Sequence, residues 1–286
     1  MTLFLSSATP AKVNLFLKVT ARRPDGFHEL ETLFYPVPEV CDTLTIELGT
    51  PGIKLSCNVP GVPLDEHNLV WRAAEMFASA AKITPEWNIH LEKRIPVAAG
   101  LGGGSSDAAA VLRLLNSHYN KLSFQELAKY AVKLGADVPF FLSPVPAVAY
   151  GIGDKLAPIP DKICKLPMVL INPLFPVSAK WAYTNLETER IGEAPGVMEK
   201  MLEALCRGDM ESIAGLMHND LEFALFRKFP LLGIIRDEML KHSALHPMVS
   251  GSGSTVFSLC RTGRDADNLA AAMRKRFPEF PVFVVN

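Results

Sequence analysis

Pro96-Val97-Ala98-Ala99-Gly100-Leu101-Gly102-Gly103-Gly104-Ser105-Ser106 stands between a predicted strand, Trp87–Glu92, and a predicted helix that starts around Ser105 or Ser106 and runs through Asp107–Leu115. Four glycines let the backbone adopt conformations closed to other residues and bring amide N–H groups against a bulky anion with no Cβ in the way. A following helix points its unpaired N–H groups and the positive end of its dipole at the same place. Ser105 and Ser106 add hydroxyls for a phosphate or a metal ion. The alternative, a flexible Gly/Ser linker, seldom ends directly in an Ala/Val/Leu-rich helix. The segment is not a Walker loop, because Gly104 is followed by Ser105, Ser106 and Asp107 instead of Lys-Ser/Thr. It also fits a dinucleotide fingerprint poorly, since no first βαβ unit is read around it.

The first third of the chain is strand-rich: Ala11–Val19, Asp42–Leu48 and Trp87–Glu92 carry β-branched and aromatic residues between turn formers. Asn68 caps a predicted helix over Leu69–Lys82, and Ser123 and Gly135 bound another over Phe124–Leu134. After Tyr150 the stretch with Gly151, Gly153, Pro158, Pro160 and Pro167 predicts a boundary near Ala157, dividing the chain into domains at residues 1–157 and 158–286. Beyond it the sequence predicts a strand at Met168–Ile171, helices near Ser178–Glu187, Val197–Arg207, Met210–Asn219 and Leu231–Lys241, and a Gly/Ser turn at Ser250–Ser254. A strand at Thr255–Leu259, a helix at Arg264–Arg276 and a strand at Pro281–Val285 complete an α+β pattern.

The bulk chemistry excludes several classes of function. In 286 residues, 29 Lys and Arg face 30 Asp and Glu, a formal net charge of -1, so no global field draws the chain to nucleic acid or to an anionic membrane. A compact small-molecule partner is expected, with no nucleic acid and no membrane. Cys41, Cys57, Cys164, Cys206 and Cys260 stand singly, without C-x-x-C or metal-ligand spacing, and read as reduced packing residues of a cytoplasmic protein. Residues Met1–Pro10 show neither a basic n-region nor an apolar h-region.

Three further places hold side chains suited to chemistry. Alternation along Ala11-Lys12-Val13-Asn14-Leu15 puts Lys12 and Asn14 on one strand face, which suits a lined cleft or, equally, a solvent-facing strand edge. Asp137, between a helix C-terminus and the apolar run Val138–Leu142, is either a turn cap or a carboxylate held ionised by a cation such as Lys12, the state a base for a substrate hydroxyl needs. The turn Pro24-Asp25-Gly26 presents Phe27 and His28 side by side, a ring and an imidazole able to stack on and hydrogen-bond a planar ligand. Ser250-Gly251-Ser252-Gly253-Ser254 is a second Gly/Ser turn.

Taken together, Pro10-Ala11-Lys12-Val13-Asn14-Leu15, Pro96–Ser106 and Gly251–Ser254 resemble, in order, the three motifs of the GHMP kinase superfamily. Arg23–Leu30 and Gly135–Phe141 narrow the resemblance to members acting on a cytidine diphosphate ester of a branched tetrol. The resemblance implies an α+β protein with a ribosomal-protein-S5-like N-terminal domain, a ferredoxin-like C-terminal domain, and ATP-dependent phosphorylation of the 2-hydroxyl of that ester in non-mevalonate isoprenoid synthesis. It implies Asp137 as base and Lys12 as the group polarising the hydroxyl. Asn14, Phe27, His28 and Tyr183 would bind the substrate, with Phe27 where the family usually has tyrosine. Pro96, Val97, Ala98, Ala99, Gly100, Leu101, Gly102, Gly103, Gly104, Ser105 and Ser106 would cradle the ATP phosphates, and Asn68 and Lys93 would approach the adenosine. Mg²⁺ is implied with ATP, with no carboxylate assigned to it, and the enzyme is expected to be a monomer or weak homodimer. Another GHMP kinase of homoserine or mevalonate type, a silent nucleotide binder on the same fold, and an S5-like nucleic-acid module are the alternatives. The Phe27-His28 pair, the presence of Lys12 with Asp137, and the neutral net charge argue against each in turn.

Overall fold

A computed structural model describes residues 3–159, 163–187, 189 and 191–286; Met1 and Pro160 of the sequence reading lie outside them. The chain forms two compact units, each built from several segments. One comprises the described residues up to Ala11, Val40–Val97 and Gly102–Val145, and the other Lys12–Glu39, Ala98–Leu101 and Pro146–Asn286. Two long strands, β1 (Phe4–Arg22) and β2 (His28–Leu48), contribute to both.

In the first unit the leading part of β1, to Ala11, and the far half of β2 are followed by β3 (Gly52–Cys57), helix α1 (Leu69–Ala81), β4 (Glu86–Glu92), α2 (Gly103–Tyr119), α3 (Phe124–Leu134) and a 3₁₀ turn, Pro139–Leu142. β3 and β4 pair in parallel, from Gly52 opposite Glu86 to Cys57 opposite Leu91, so β3-α1-β4 is a βαβ unit. Sequence reading missed it, because Gly52–Cys57 is short, edge-placed and without regular alternation. The glycine loop therefore leaves the second strand of a crossover. β4 pairs antiparallel with β2, and its alternate residues Trp87, Ile89 and Leu91 are buried with Leu44 and Ile46 of β2. Phe77 of α1 packs on Trp87 with ring centroids 6.3 Å apart.

Helix α2 is apolar around most of its girth and is sunk accordingly: Ala108, Ala109, Ala110, Val111, Leu112 and Leu115 are fully buried. It begins two to three residues before the predicted start, at Gly103, because Gly102 at φ 70° supplies the left-handed residue that turns the chain into the helix. Asn68 caps α1 by accepting from the Val70 N–H, and Ser123 with Glu126 forms a capping box on α3.

The second unit holds β5 (Ala147–Tyr150), β6 (Lys155–Pro158), β7 (Met168–Ile171), α4 (Ala179–Thr184), α5 (Val197–Arg207), α6 (Met210–Leu216) and β8 (His218–Asn219). Then come α7 (Glu222–Lys228), α8 (Pro230–Leu240), β9 (Leu245–Val249), β10 (Val256–Leu259), α9 (Gly263–Arg276) and β11 (Val282–Val285). The helix predicted to reach Asn219 stops at Leu216, and His218–Asn219 instead pairs in parallel with Phe16–Leu17 of β1. Ala157 lies within β6, opposite Val148 of β5. Four antiparallel strands in the order β11-β7-β10-β9 form a sheet with α9 against β7 and β11 and α8 against β9 and β10. Val169, Ile171, Val256, Leu232, Ile235, Leu269 and Met273 fill the layer between. This mixed architecture is the expected α+β class. Among the described residues no helix is long and apolar enough to cross a membrane, and the five cysteines are free thiols.

Candidate active site

In the second unit the middle of the glycine loop is wired to the Gly/Ser turn. Thr255 N–H donates to Ala99 O at 3.1 Å, Ser250 Oγ to Gly100 O at 3.0 Å, and Lys12 N–H to Leu101 O at 2.9 Å. A Cβ at Gly100, where φ is +77°, would fall 2.0 Å from Ser250 O, so only glycine permits this approach. Asn219, 4 % exposed, ties the turn down by donating to Val249 O and Gly251 O. Neither Asn219 nor its role was visible in the sequence, since a lone Asn at a helix end usually reads as a cap.

Lys12 and Asn14 belong to the same unit. Both are buried, so the strand-edge alternative is overturned. Lys12 Nζ donates to Asn14 Oδ1 at 2.6 Å and sits 4.9 Å from the Phe34 ring centroid, and Asn14 Nδ2 donates to Thr32 Oγ1 at 2.8 Å. A Cβ on Gly251 would stand 3.1 Å from Asn14 Oδ1 and 3.8 Å from Lys12 Nζ. The backbone of the Gly/Ser turn thus reaches the polar face of β1.

At the start of β2, Arg23 and Phe27 close a tight turn, with Phe27 N–H donating to Asp25 Oδ1 at 3.0 Å and Phe27 left 57 % exposed. His28 stacks on Tyr183 of α4, ring centroids 5.5 Å apart and planes 22° from parallel. Burial, helped by the Arg22 charge, lowers the His28 pKa, which favours the neutral ring.

In the first unit the helix that leaves the loop starts against the first residue of α1. The nearest atom to a Cβ on Gly104 is Leu69 Cδ1 at 3.8 Å. Ser106 is 1 % exposed and its Oγ, in the first turns of α2, lacks a hydrogen-bond partner among the described residues. Asn68 spends its side chain on Val70 N–H and on Pro63 O, to which it donates. The Lys93 ammonium is also committed: it bonds Asp107 Oδ2 at 2.8 Å and makes a short contact with Asp42 Oδ2. Burial opposes its charge, but the two carboxylates outweigh burial and raise its pKa. Burial, reinforced by Asp42, pushes Asp107 up to about 6 against the pull of Lys93. Asp137 is half-buried in the turn between Gly135 and Pro139, just before Phe140 and Phe141, both fully buried.

The profile of GHMP kinases N terminal domain matches residues 68–144, and that of GHMP kinases C terminal matches 201–279. The chain is 40% identical over 275 residues to the 4-diphosphocytidyl-2-C-methyl-D-erythritol kinase of Geobacter sulfurreducens, covering 95% of each chain. It is 41% identical to that of Solidesulfovibrio magneticus, covering 92% and 90%. A crystal structure of 4-(cytidine 5'-diphospho)-2C-methyl-D-erythritol kinase superposes with a TM-score of 0.84 at 37% identity over 98% of both chains. Homoserine kinase from Cytophaga hutchinsonii shares the fold, with a TM-score of 0.79 at 20% identity over 99% and 94%. With both family profiles matched and near-full-length identity to such enzymes, the chain belongs to the GHMP kinases, ATP-dependent small-molecule kinases, in the group of 4-diphosphocytidyl-2-C-methyl-D-erythritol kinases.

Proposed function

We propose that this chain transfers the γ-phosphoryl group of ATP to the 2-hydroxyl of 4-diphosphocytidyl-2-C-methyl-D-erythritol, giving the 2-phosphate and ADP, in the cytoplasmic non-mevalonate route to isoprenoid precursors. The observation that carries the choice of acceptor is the stacked His28–Tyr183 pair next to the exposed Phe27 ring. Aromatic faces suit a pyrimidine, and a neutral imidazole suits its hydrogen-bonding edge. Asn14, buried on β1, also binds the acceptor.

Phosphoryl transfer asks the protein mainly for positioning and for stabilisation of charge. The amides of residues 96–106 hold the phosphates. Asp137 takes the proton from the attacking hydroxyl, and Lys12, a buried cation, stabilises the developing alkoxide. Asn68 and Lys93 approach the adenosine through the apolar parts of their side chains, since their polar ends are engaged. Mg²⁺ takes oxygen ligands. The unpartnered Ser106 Oγ and the neighbouring Ser105 hydroxyl fit it, whereas the Asp107 carboxylate is occupied by Thr9 and Lys93. When bound, the ion would neutralise charge on the phosphates.

The test is ADP release from ATP with the cytidine diphosphate ester, against mevalonate and homoserine under the same conditions. Turnover only with the ester, with product phosphorus resonance assigned to the 2-position, is the expected outcome. Equal or better turnover with either other alcohol refutes the acceptor. The division of the chain near Ala157 and the monomeric or weakly dimeric state belong to the same proposal, checked by limited proteolysis and light scattering.

A further inference from the structure

Within the first unit, one strand end and one helix start are joined by a buried ionic cluster. Lys93, Asp42 and Asp107 have side chains only 7 %, 0 % and 1 % exposed. Asp42 Oδ1 accepts from the N–H groups of Arg94 and Ile95 at 2.5 and 2.7 Å, while its Oδ2 meets the Lys93 ammonium. Asp107 accepts from Thr9 Oγ1 at 2.7 Å and from Lys93 Nζ at 2.8 Å. Lys93 is also fixed by its backbone, its N–H donating to Asn58 Oδ1 at 2.7 Å and its O accepting from Asn58 Nδ2 at 3.1 Å. A Cβ on Gly103 would come within 3.1 Å of Lys93 Nζ and 3.0 Å of Ile95 Cγ2, so the first residue of α2 rests directly on this cluster.

The cluster grips the chain on both sides of the glycine loop: at Arg94 and Ile95 before it, and at Gly103 and Asp107 after it. We propose that Lys93, Asp42 and Asp107 form a positioning clamp that holds the two ends of the loop at their binding separation before nucleotide arrives, and so sets affinity for the triphosphate. Two carboxylates and one ammonium cost desolvation, and apolar residues of the same volume would hold the fold about as well. What an apolar filling does not do is fix the orientation of two specific backbone N–H groups. A segment as glycine-rich as 100–104 loses much conformational entropy when it orders. A clamp that orders its ends beforehand removes part of that cost from the binding step. This inference rests on the reading of residues 96–106 as the phosphate loop.

The experiment measures Lys93→Met in the full-length enzyme by calorimetry with ATP, steady-state kinetics, and hydrogen exchange of the nucleotide-free protein. The clamp predicts about a tenfold rise in Kd and KM for ATP, little change in kcat at saturating ATP, and an unchanged KM for the acceptor alcohol. It also predicts faster amide exchange across Gly102–Ser106 before any nucleotide is added, which loss of a direct nucleotide contact would not produce. Should Lys93→Met fail to fold, Asp107→Leu keeps the Lys93–Asp42 pair and cuts the ties of α2 to Lys93 and Thr9, with the same pattern at smaller amplitude. Unchanged loop exchange in the folded variant overturns the clamp, whatever happens to ATP affinity. Gly103→Val, run alongside, separates the premises. ATP affinity undiminished in Gly103→Val means that the loop does not hold phosphate, and the inference fails at its base. Affinity lost there with loop exchange unmoved in Lys93→Met means that the loop holds phosphate and the clamp alone is wrong.

Discussion

Replacing Gly100 by alanine gives the sharpest test of how the glycine loop is built. At φ +77° an L-residue pays roughly 1 kcal/mol for the left-handed conformation. The added methyl would start 2.0 Å from Ser250 O and 2.9 Å from Gly253 N, so loop and turn must part by more than about 1 Å to reach ordinary van der Waals contact. Parting them puts at risk the bonds Ser250 Oγ to Gly100 O at 3.0 Å and Thr255 N–H to Ala99 O at 3.1 Å, each worth about 1 kcal/mol net. The sum is about 3 kcal/mol, or a fall in Tm of roughly 5 °C for a chain of this size. Gly104→Ala is the internal control. It lies in α2 with its nearest neighbour at 3.8 Å, and helix propensity predicts a gain of about 0.5–1 kcal/mol. Thermal unfolding by circular dichroism and calorimetry of ATP binding read both variants. The reasoning is refuted if Gly100→Ala melts within a degree or two of the parent with unchanged ATP affinity, or if Gly104→Ala falls as far as Gly100→Ala.

Asp137→Asn should lower kcat by about two to four orders of magnitude, the range of general-base catalysis, with ATP still bound by calorimetry; near-parental turnover in purified enzyme would remove the base assignment. Glu222, whose carboxylate accepts from Val249 N–H at 2.7 Å, is pushed by burial up to about 7. Because its pKa is higher folded than unfolded, its contribution is fully present below the unfolded value of 4.5 and is lost as pH rises through 7. Glu222→Gln should therefore match the parent near pH 5 and exceed it by on the order of 2 kcal/mol near pH 8, and parallel stability curves would contradict this. For His28, the lowered pKa keeps the ring neutral at pH 7. KM for the cytidine ester should stay flat from neutral to alkaline pH and rise only on acidification below the ordinary imidazole range; a rise beginning above pH 7 would mean that the ring carries charge where neutrality is needed.

How far the sequence spoke depended on whether a local pattern carried the information. Helix α5 falls on its predicted bounds because an amphipathic run is flanked by Gly196 and Gly208, both with positive φ. Asn68 and Ser123 cap the helices they were expected to cap. β3 and β5 escaped because short strands take their identity from partners distant in sequence, such as Leu33 opposite Val148. The glycine loop was legible as a loop, yet Ala98 at φ 51°, a left-handed residue without glycine's freedom, was not. Asp42 read only as the start of a strand and Asp107 as one carboxylate in an apolar helix. That both meet Lys93 is a property of the fold, since 51 and 14 residues separate them from it. A carboxylate within an Ala/Val/Leu run was the one available signal, because such a charge requires a partner.

The strain in the loop explains why so many groups outside it, backbone N–H groups above all, are committed to its support. Ala98, Gly100 and Gly102 hold φ values of 51°, 77° and 70°, so alternate residues are left-handed and their N–H groups do not follow the period of any regular element. Such a conformation persists only when its surroundings determine it more than once. In the second unit Val177 N–H donates to Ala98 O, Thr255 N–H to Ala99 O, Ser250 Oγ to Gly100 O and Lys12 N–H to Leu101 O, one bond for each of four consecutive carbonyls. All four acceptors are carbonyls, so these bonds leave the amide N–H groups of the same residues uncommitted. A phosphate is an acceptor and needs donors. The supporting bonds thus draw on the half of the peptide group that an anion does not use.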